Sequence, residues 1–146
     1  MREVVFALEF RGSAGAGADG KRRAHSIAPS QSLTTVLGGD GVHAEVKALD
    51  GEEAVLDSTV ERFPDGTFVE DGTITYGRAG SVTFATIGRG TVGPAPIEGW
   101  TRGVVMWTVT GGRGVFSSAT GLITSNFTVS AQGVVVDHHV ARLYLA

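Results

Sequence analysis

In the stretch TFVEDGTITYG, Glu70 falls on the same alternation as Phe68, Ile74 and Tyr76. A carboxyl set among apolar side chains resists ionisation, so its pKa rises toward the range where it can trade protons at neutral pH. Against that, Asp71 is adjacent, and a bulge at Gly72 would turn Glu70 out to solvent; both readings are open. Tyr76 places a hydroxyl on the same face. Asn126, in TSNFT, shares a face with Leu122 and Thr124, where its amide would orient a substrate carbonyl or bond to a neighbouring strand. Glu9 interrupts the apolar run VVFALEF and alternates with Phe6, Leu8 and Phe10. If the bulky face packs, Glu9 is a solvated carboxylate; if not, it is a candidate acid or base.

His138 and His139 are adjacent, so on a strand they point to opposite faces and cannot ligate one metal together. Either one is a candidate to point inward, His138 with Val136, Val140 and Tyr144, His139 with Val135, Ala141 and Leu143. The remaining histidines, His25 and His43, add no ligand spacing, and the chain contains no cysteine. No metal and no cofactor are expected. Ser–His–Asp order, HExxH and paired-carboxylate motifs are absent from the sequence, so covalent hydrolysis has no local support.

The elements that must hold these groups are strands. Among 146 residues there are 22 glycines and only four prolines, and the glycines punctuate short β-branched and aromatic runs. Helical periodicity is almost absent. Runs at Val4–Phe10, VHAEVKAL, AVLDSTVERF, TFVEDGTITYG, SVTFATIG, RGVVMWTVT, LITSNFTVS and VVVDHHVARLYL give eight strands, most joined by tight turns. Eight antiparallel strands suffice to close a small barrel and so remove the open sheet edges. The chain reads as all-β, an eight-stranded antiparallel up-and-down barrel forming one domain over 1–146.

A Gly/Ala/Ser-rich stretch at about 12–40 reads as a long loop. Within it, GAGADGK spells both G-x-G-x-x-G and most of a phosphate-binding P-loop. Each motif needs a helix after it, and RRAHSIAPSQS has no helical stripe, a proline at Pro29, and Arg22 where a P-loop needs Ser or Thr. The stretch reads as a mobile connection, with a lid over the barrel as its functional version. A second long loop is expected at RGTVGPAPIEGW.

Twelve basic against fifteen acidic side chains give a net charge of −3, which lacks the basic face of a nucleic-acid binder. No apolar run approaches the roughly 20 residues that span a bilayer. MREVVFALEF carries Glu3 and Glu9 and no signal-peptide pattern, so a soluble cytoplasmic protein is expected, with neither nucleic acid nor membrane as partner.

The segment VTGGRGVFSSATG, Val109 to Gly121, resembles the TGG-x-G-x-F-x-x-A-x-G signature of plant allene oxide cyclases and dirigent proteins. The matching positions are Thr110, Gly111, Gly112, Gly114, Phe116, Ala119 and Gly121. GTITYGRAGSVTFATIGRG is similar to a hairpin of that barrel, and HHVARLYL to its last strand; the likeness spans roughly Thr73 to Ala146. Glycines after a strand make a bulge or tight corner, with Phe116 plugged beneath it, so the signature marks a fold.

The resemblance implies a calycin-like barrel with an apolar cavity open at one end. Plant members cyclise an epoxide or steer phenolic radical coupling, and bacterial barrels of similar build include polyketide-pathway cyclases. The function expected is a cofactor-free isomerase or cyclase that shapes a small apolar or polyketide-like substrate. Phe84, Trp100, Met106, Trp107 and Tyr144 would contact the substrate, and Glu70, Tyr76, His138, Asn126 or Glu9 would move a proton or donate a hydrogen bond. The cavity would measure some hundreds of Å³. The competing expectation is a carrier of a small hydrophobic ligand or a structural barrel; a homo-oligomer, dimer or trimer, fits either.

Overall fold

A computed structural model describes all 146 residues. Eleven strands form: β1 (Arg2–Ala16), β2 (Arg22–Ala28), β3 (Gln31–Gly38), β4 (Gly41–Ala48), β5 (Ala54–Arg62), β6 (Thr67–Tyr76), β7 (Gly80–Thr86), β8 (Gly90–Pro94), β9 (Trp100–Gly114), β10 (Thr120–Ser130) and β11 (Val134–Leu145). No helix is present.

The sheet runs β10-β11-β1-β2-β5-β6-β7-β9, and pairing of β9 with β10 closes it into an eight-stave antiparallel barrel. β8 shares the seventh stave with β7. β7 pairs with β6 over Asp71–Tyr76 and with β9 over Trp107–Gly114, whereas β8 joins β6 at Thr67 and Phe68 and β9 at Thr101–Val104. The seam between the first and last strands is a twelve-residue register from Arg2↔Leu145 to Ser13↔Val134.

The expected loop at about 12–40 is structured. β1 continues through Ala16, Gly17–Lys21 is the turn of a β1–β2 hairpin, and β3 and β4 form a second hairpin. Asp19 stiffens the first turn: its carboxylate accepts from the Lys21 N–H at 3.1 Å and pairs with Arg23 at 3.0 Å. GAGADGK is therefore the tip of a hairpin between two barrel staves, which removes the basis for a long lid.

The count of eight staves holds, but two segments exchange roles. VHAEVKAL, read as a barrel strand, is β4 of a hairpin that stands outside the barrel with nearly every residue exposed. The stave in its place is β2, RRAHSIA, whose inward residues Ala24, Ser26 and Ala28 are small and carry no alternating bulky signal. The second expected loop likewise contains the short β8.

Inward alternation fills most of the interior. Trp107 and Phe84 stack at 4.1 Å, Phe10 lies 4.5 Å from the His139 ring, and Tyr76 meets Phe6 edge-on at 5.4 Å. On the signature segment the β7–β9 register shifts between Thr83 and Phe84, leaving Thr110 as the extra residue of a bulge. Phe116 is buried behind it, 5.3 Å from the Tyr76 ring.

Candidate functional site

The aromatic filling stops short of one end of the barrel. There several inward positions are small, Ala14, Ala24, Ser26 and Ser125 among them, and they line a cavity of about 90 Å³. Gly72 and Gly12 sharpen this end. A β-carbon on Gly72 would run into the Asp57 carbonyl and Ser58, and one on Gly12 into the His25 carbonyl and Ser26. Glycine at both points lets β5 and β2 coil closely against their neighbours, as barrel corners require.

The walls include Leu56, Val60, Phe68, Val92, Phe127 and Val135. At about 90 Å³ the cavity is smaller than expected, and below the roughly 300–1,000 Å³ typical of drug-sized ligand sites. Trp107, Phe84 and Phe10 occupy the depth that a larger ligand would need.

Two carboxyls face this space from opposite staves. Glu70 stands on β6 and Asp137 on β11, four staves apart whichever way the ring is counted. Each is held by a serine on the preceding strand of its own hairpin: Ser58 Oγ donates to Glu70 Oε2 at 2.6 Å, and Ser125 Oγ donates to Asp137 Oδ1 at 2.6 Å. Each serine precedes its carboxyl by twelve residues. The turns between them carry glycines of matching conformation, Gly66 at φ 83° and Gly133 at φ 82°. The β5–β6 and β10–β11 hairpins thus present the same serine–carboxyl device from opposite sides.

Their surroundings differ. Burial pushes the Glu70 carboxyl up to about 8, with the charges of Asp137 and Asp71 adding to the rise and the Ser58 hydrogen bond working against it. Glu70 is thus a neutral acid at pH 7. Asp137 accepts from Ser125 and, through Oδ2, lies 2.8 Å from His139 Nε2, a set of partners suited to a carboxylate. His139 is buried between Phe10 and the Trp107 ring, and its Nδ1 and the indole Nε1 have no protein partner.

The strand faces sort the sequence candidates. Glu70 lies in the cavity, because the β5–β6 register passes Gly72 without a bulge. Tyr76 also points inward, but at the opposite end, where burial raises the pKa of its hydroxyl and Phe6 and Phe116 surround its ring. Phe84 and Trp107 are core, stacked on each other, and do not line the cavity.

Six candidates lie on the outer wall instead. His138 faces out and pairs with Glu9 at 2.9 Å, Glu9 also binding Arg11 at 2.8 Å. Burial beneath these partners pushes the Glu9 carboxyl up, but hydrogen bonds from Arg11 and His138 outweigh that and hold it below the usual range. Asn126 and Met106 are exposed on β10 and β9, and Tyr144 alternates with exposed Arg142 on the outer face of β11. Trp100 opens β9 on the outward alternation, paired with Ser130. The residues that the sequence reading missed are Asp137, Ser58, Ser125 and His139 in its inward role. One signal marked the two on the last strand: Arg142 assigns His138, Val140 and Tyr144 to the wet face of VVVDHHVARLYL, which turns Asp137 and His139 inward.

No family model matches the chain, and no curated protein sequence matches it. Among solved structures, it is similar to the pterocarpan synthase dirigent protein GePTS1, at 13% identity over 99% of this chain and 92% of that one, with a TM-score of 0.33.

Proposed function

We propose that this barrel binds a small, largely apolar molecule at its open end and isomerises or cyclises it by acid–base chemistry between Glu70 and Asp137. The observation that carries this reading is the facing pair itself: one carboxyl kept neutral by burial, the other hydrogen-bonded by Ser125 and His139. A carboxyl that burial keeps protonated, across the cavity from one that accepts hydrogen bonds, offers an acid and a base to the same substrate. Asp137 takes a proton from carbon or oxygen on one side of the substrate, and Glu70 gives its proton to the other side. The substrate leaves with its composition unchanged, and the two carboxyls exchange protons with water through the mouth before the next turnover. Apolar walls hold the substrate between them, so positioning supplies the rest of the rate. The smallness of the cavity means that one ring or short chain enters and any remainder stays at the mouth.

Exchange of the α-hydrogens of cyclohexanone for solvent deuterium, followed by proton NMR, tests the chemistry without knowledge of the natural substrate. The protein accelerates exchange, and Glu70→Gln and Asp137→Asn each remove the acceleration. Exchange at the buffer rate, or a rate indifferent to both substitutions, overturns the catalytic reading. Cyclohexanone bound without exchange is the result for a carrier, the alternative that the mainly apolar walls favour.

A further inference from the structure

Arg22 and Arg62 occupy the rim of the same cavity. Arg22 stands opposite Val60 in the β2–β5 register, and Arg62 lies two residues beyond Val60, so both share the inward face of the barrel wall. Neither forms an ion pair, as is also true of Arg2, Arg102 and Arg113, but these two alone among the arginines line the cavity. Desolvation, and to a lesser degree the charge of Arg22, lower the pKa of the Arg62 guanidinium, so the two cations sense each other across the β2–β5 pair. Both side chains are solvent-exposed, so their donors are open to an incoming anion. Guanidinium groups bind carboxylates through paired, parallel hydrogen bonds, which fix both position and orientation.

We propose that the ligand is a small organic carboxylate whose charged head sits between Arg22 and Arg62 while its apolar body enters the cavity toward Glu70 and Asp137. This assignment rests on the cavity being the binding site. It adds a polarity to that site: cations at the rim, apolar walls below, and the carboxyl pair facing the body of the ligand. The neutral form of Glu70 is what makes an anionic ligand tolerable there, since two ionised carboxylates would repel it.

Binding of benzoate, benzyl alcohol and inorganic phosphate to the full chain, read by amide and arginine side-chain NMR shifts at millimolar concentration, separates the contributions. Benzoate shifts cavity residues such as Ser125 and Phe127 and binds more tightly than benzyl alcohol or phosphate. Arg22→Gln and Arg62→Gln each weaken benzoate by about tenfold and leave benzyl alcohol unchanged, and the lysine variants recover part of the loss. Equal affinity for benzoate and benzyl alcohol, unaffected by the substitutions, overturns the carboxylate assignment and leaves the binding site standing. Phosphate matching benzoate shows that the rim reads charge alone and overturns the assignment too. Failure of all three probes to shift any cavity residue overturns the assignment together with the reading of the cavity as a binding site.

Discussion

Ser58 holds Glu70 as Ser125 holds Asp137, at 2.6 Å and across twelve residues in both cases, and closure of the barrel brings the two carboxyls face to face. Two adjacent-strand devices that are independent in sequence become one site only in the round. Its cost to folding is measurable. The Glu70 carboxyl is protonated up to about pH 8 in the folded protein, against an ordinary value of 4.5. Between those values the unfolded chain has lost a proton that the folded chain keeps, so stability falls as pH rises. The contribution is fully present below 4.5 and gone above about 8. Glu70→Gln removes this slope. In urea unfolding across the range, the variant is more stable than the parent at pH 8, and the difference closes near pH 4. The comparison isolates Glu70 from carboxyls with lowered values, such as Glu9, whose effect runs the other way.

Asp137→Asn tests the coupling between the carboxyls. Burial is the larger cause of the Glu70 shift and Asp137 a smaller one. In the variant the Glu70 titration midpoint, followed by carboxyl carbon NMR, drops below that of the parent and stays above 4.5. Ser125 and His139 lose a charged acceptor at the same time, so the variant is less stable by about 1–3 kcal/mol in denaturant titration. An unchanged Glu70 midpoint means that the two groups do not sense each other.

Much of this was legible in the chain, and the failures have a common origin. Alternation placed Phe68, Glu70, Ile74 and Tyr76 on one face, and the eight-stave barrel follows from the number and spacing of strands. β2 lacks a bulky signal because its inward residues are all small: Ala24 and Ser26 line the cavity, and Ala28 packs in the core. A strand that lines a cavity loses the bulky alternation by which strands are recognised. VHAEVKAL has that alternation and yet stands outside the barrel, because period two reports a pleated strand and not the sheet it joins. The pairing of Glu70 with Asp137 was illegible for a different reason: it depends on ring closure, which no local pattern encodes. Arg142 did mark the wet face of the last strand, and it was the one clue that would have favoured His139 over His138.

The tight coiling at the open end gives a packing prediction. Gly72→Ala places a methyl against the Asp57 carbonyl and Ser58, and Gly12→Ala places one against the His25 carbonyl and Ser26. Each substitution destabilises the barrel by about 1–3 kcal/mol through overpacking. Gly15→Ala, where the new methyl meets open space, is the control and stays within about 0.5 kcal/mol of the parent. Thermal unfolding by circular dichroism ranks the three, and equal values for Gly72→Ala and Gly15→Ala would remove close approach as the reason for glycine at 72.

The β3–β4 hairpin makes the last prediction. It pairs only with itself, and Val36, Leu37 and Val42 are 56%, 76% and 67% exposed. Its attachment is local: the Gln31 side chain accepts from the Glu9 N–H at 2.8 Å and donates to the Glu9 carbonyl at 3.2 Å, and the Leu49 N–H bonds to the Ser30 carbonyl at 2.8 Å. None of these bonds closes the barrel, and no residue of the hairpin reaches the cavity. Replacing residues 33–46 with a two-residue Asn-Gly turn, which suits a tight hairpin, therefore leaves the eight staves intact. The shortened chain keeps its β-sheet circular dichroism, its unfolding temperature moves by no more than a few degrees, and benzoate still shifts the cavity residues. Loss of cooperative unfolding would show that the hairpin is part of the fold. Loss of benzoate shifts from a folded variant would show instead that the hairpin, and not the mouth alone, controls access to the carboxyls.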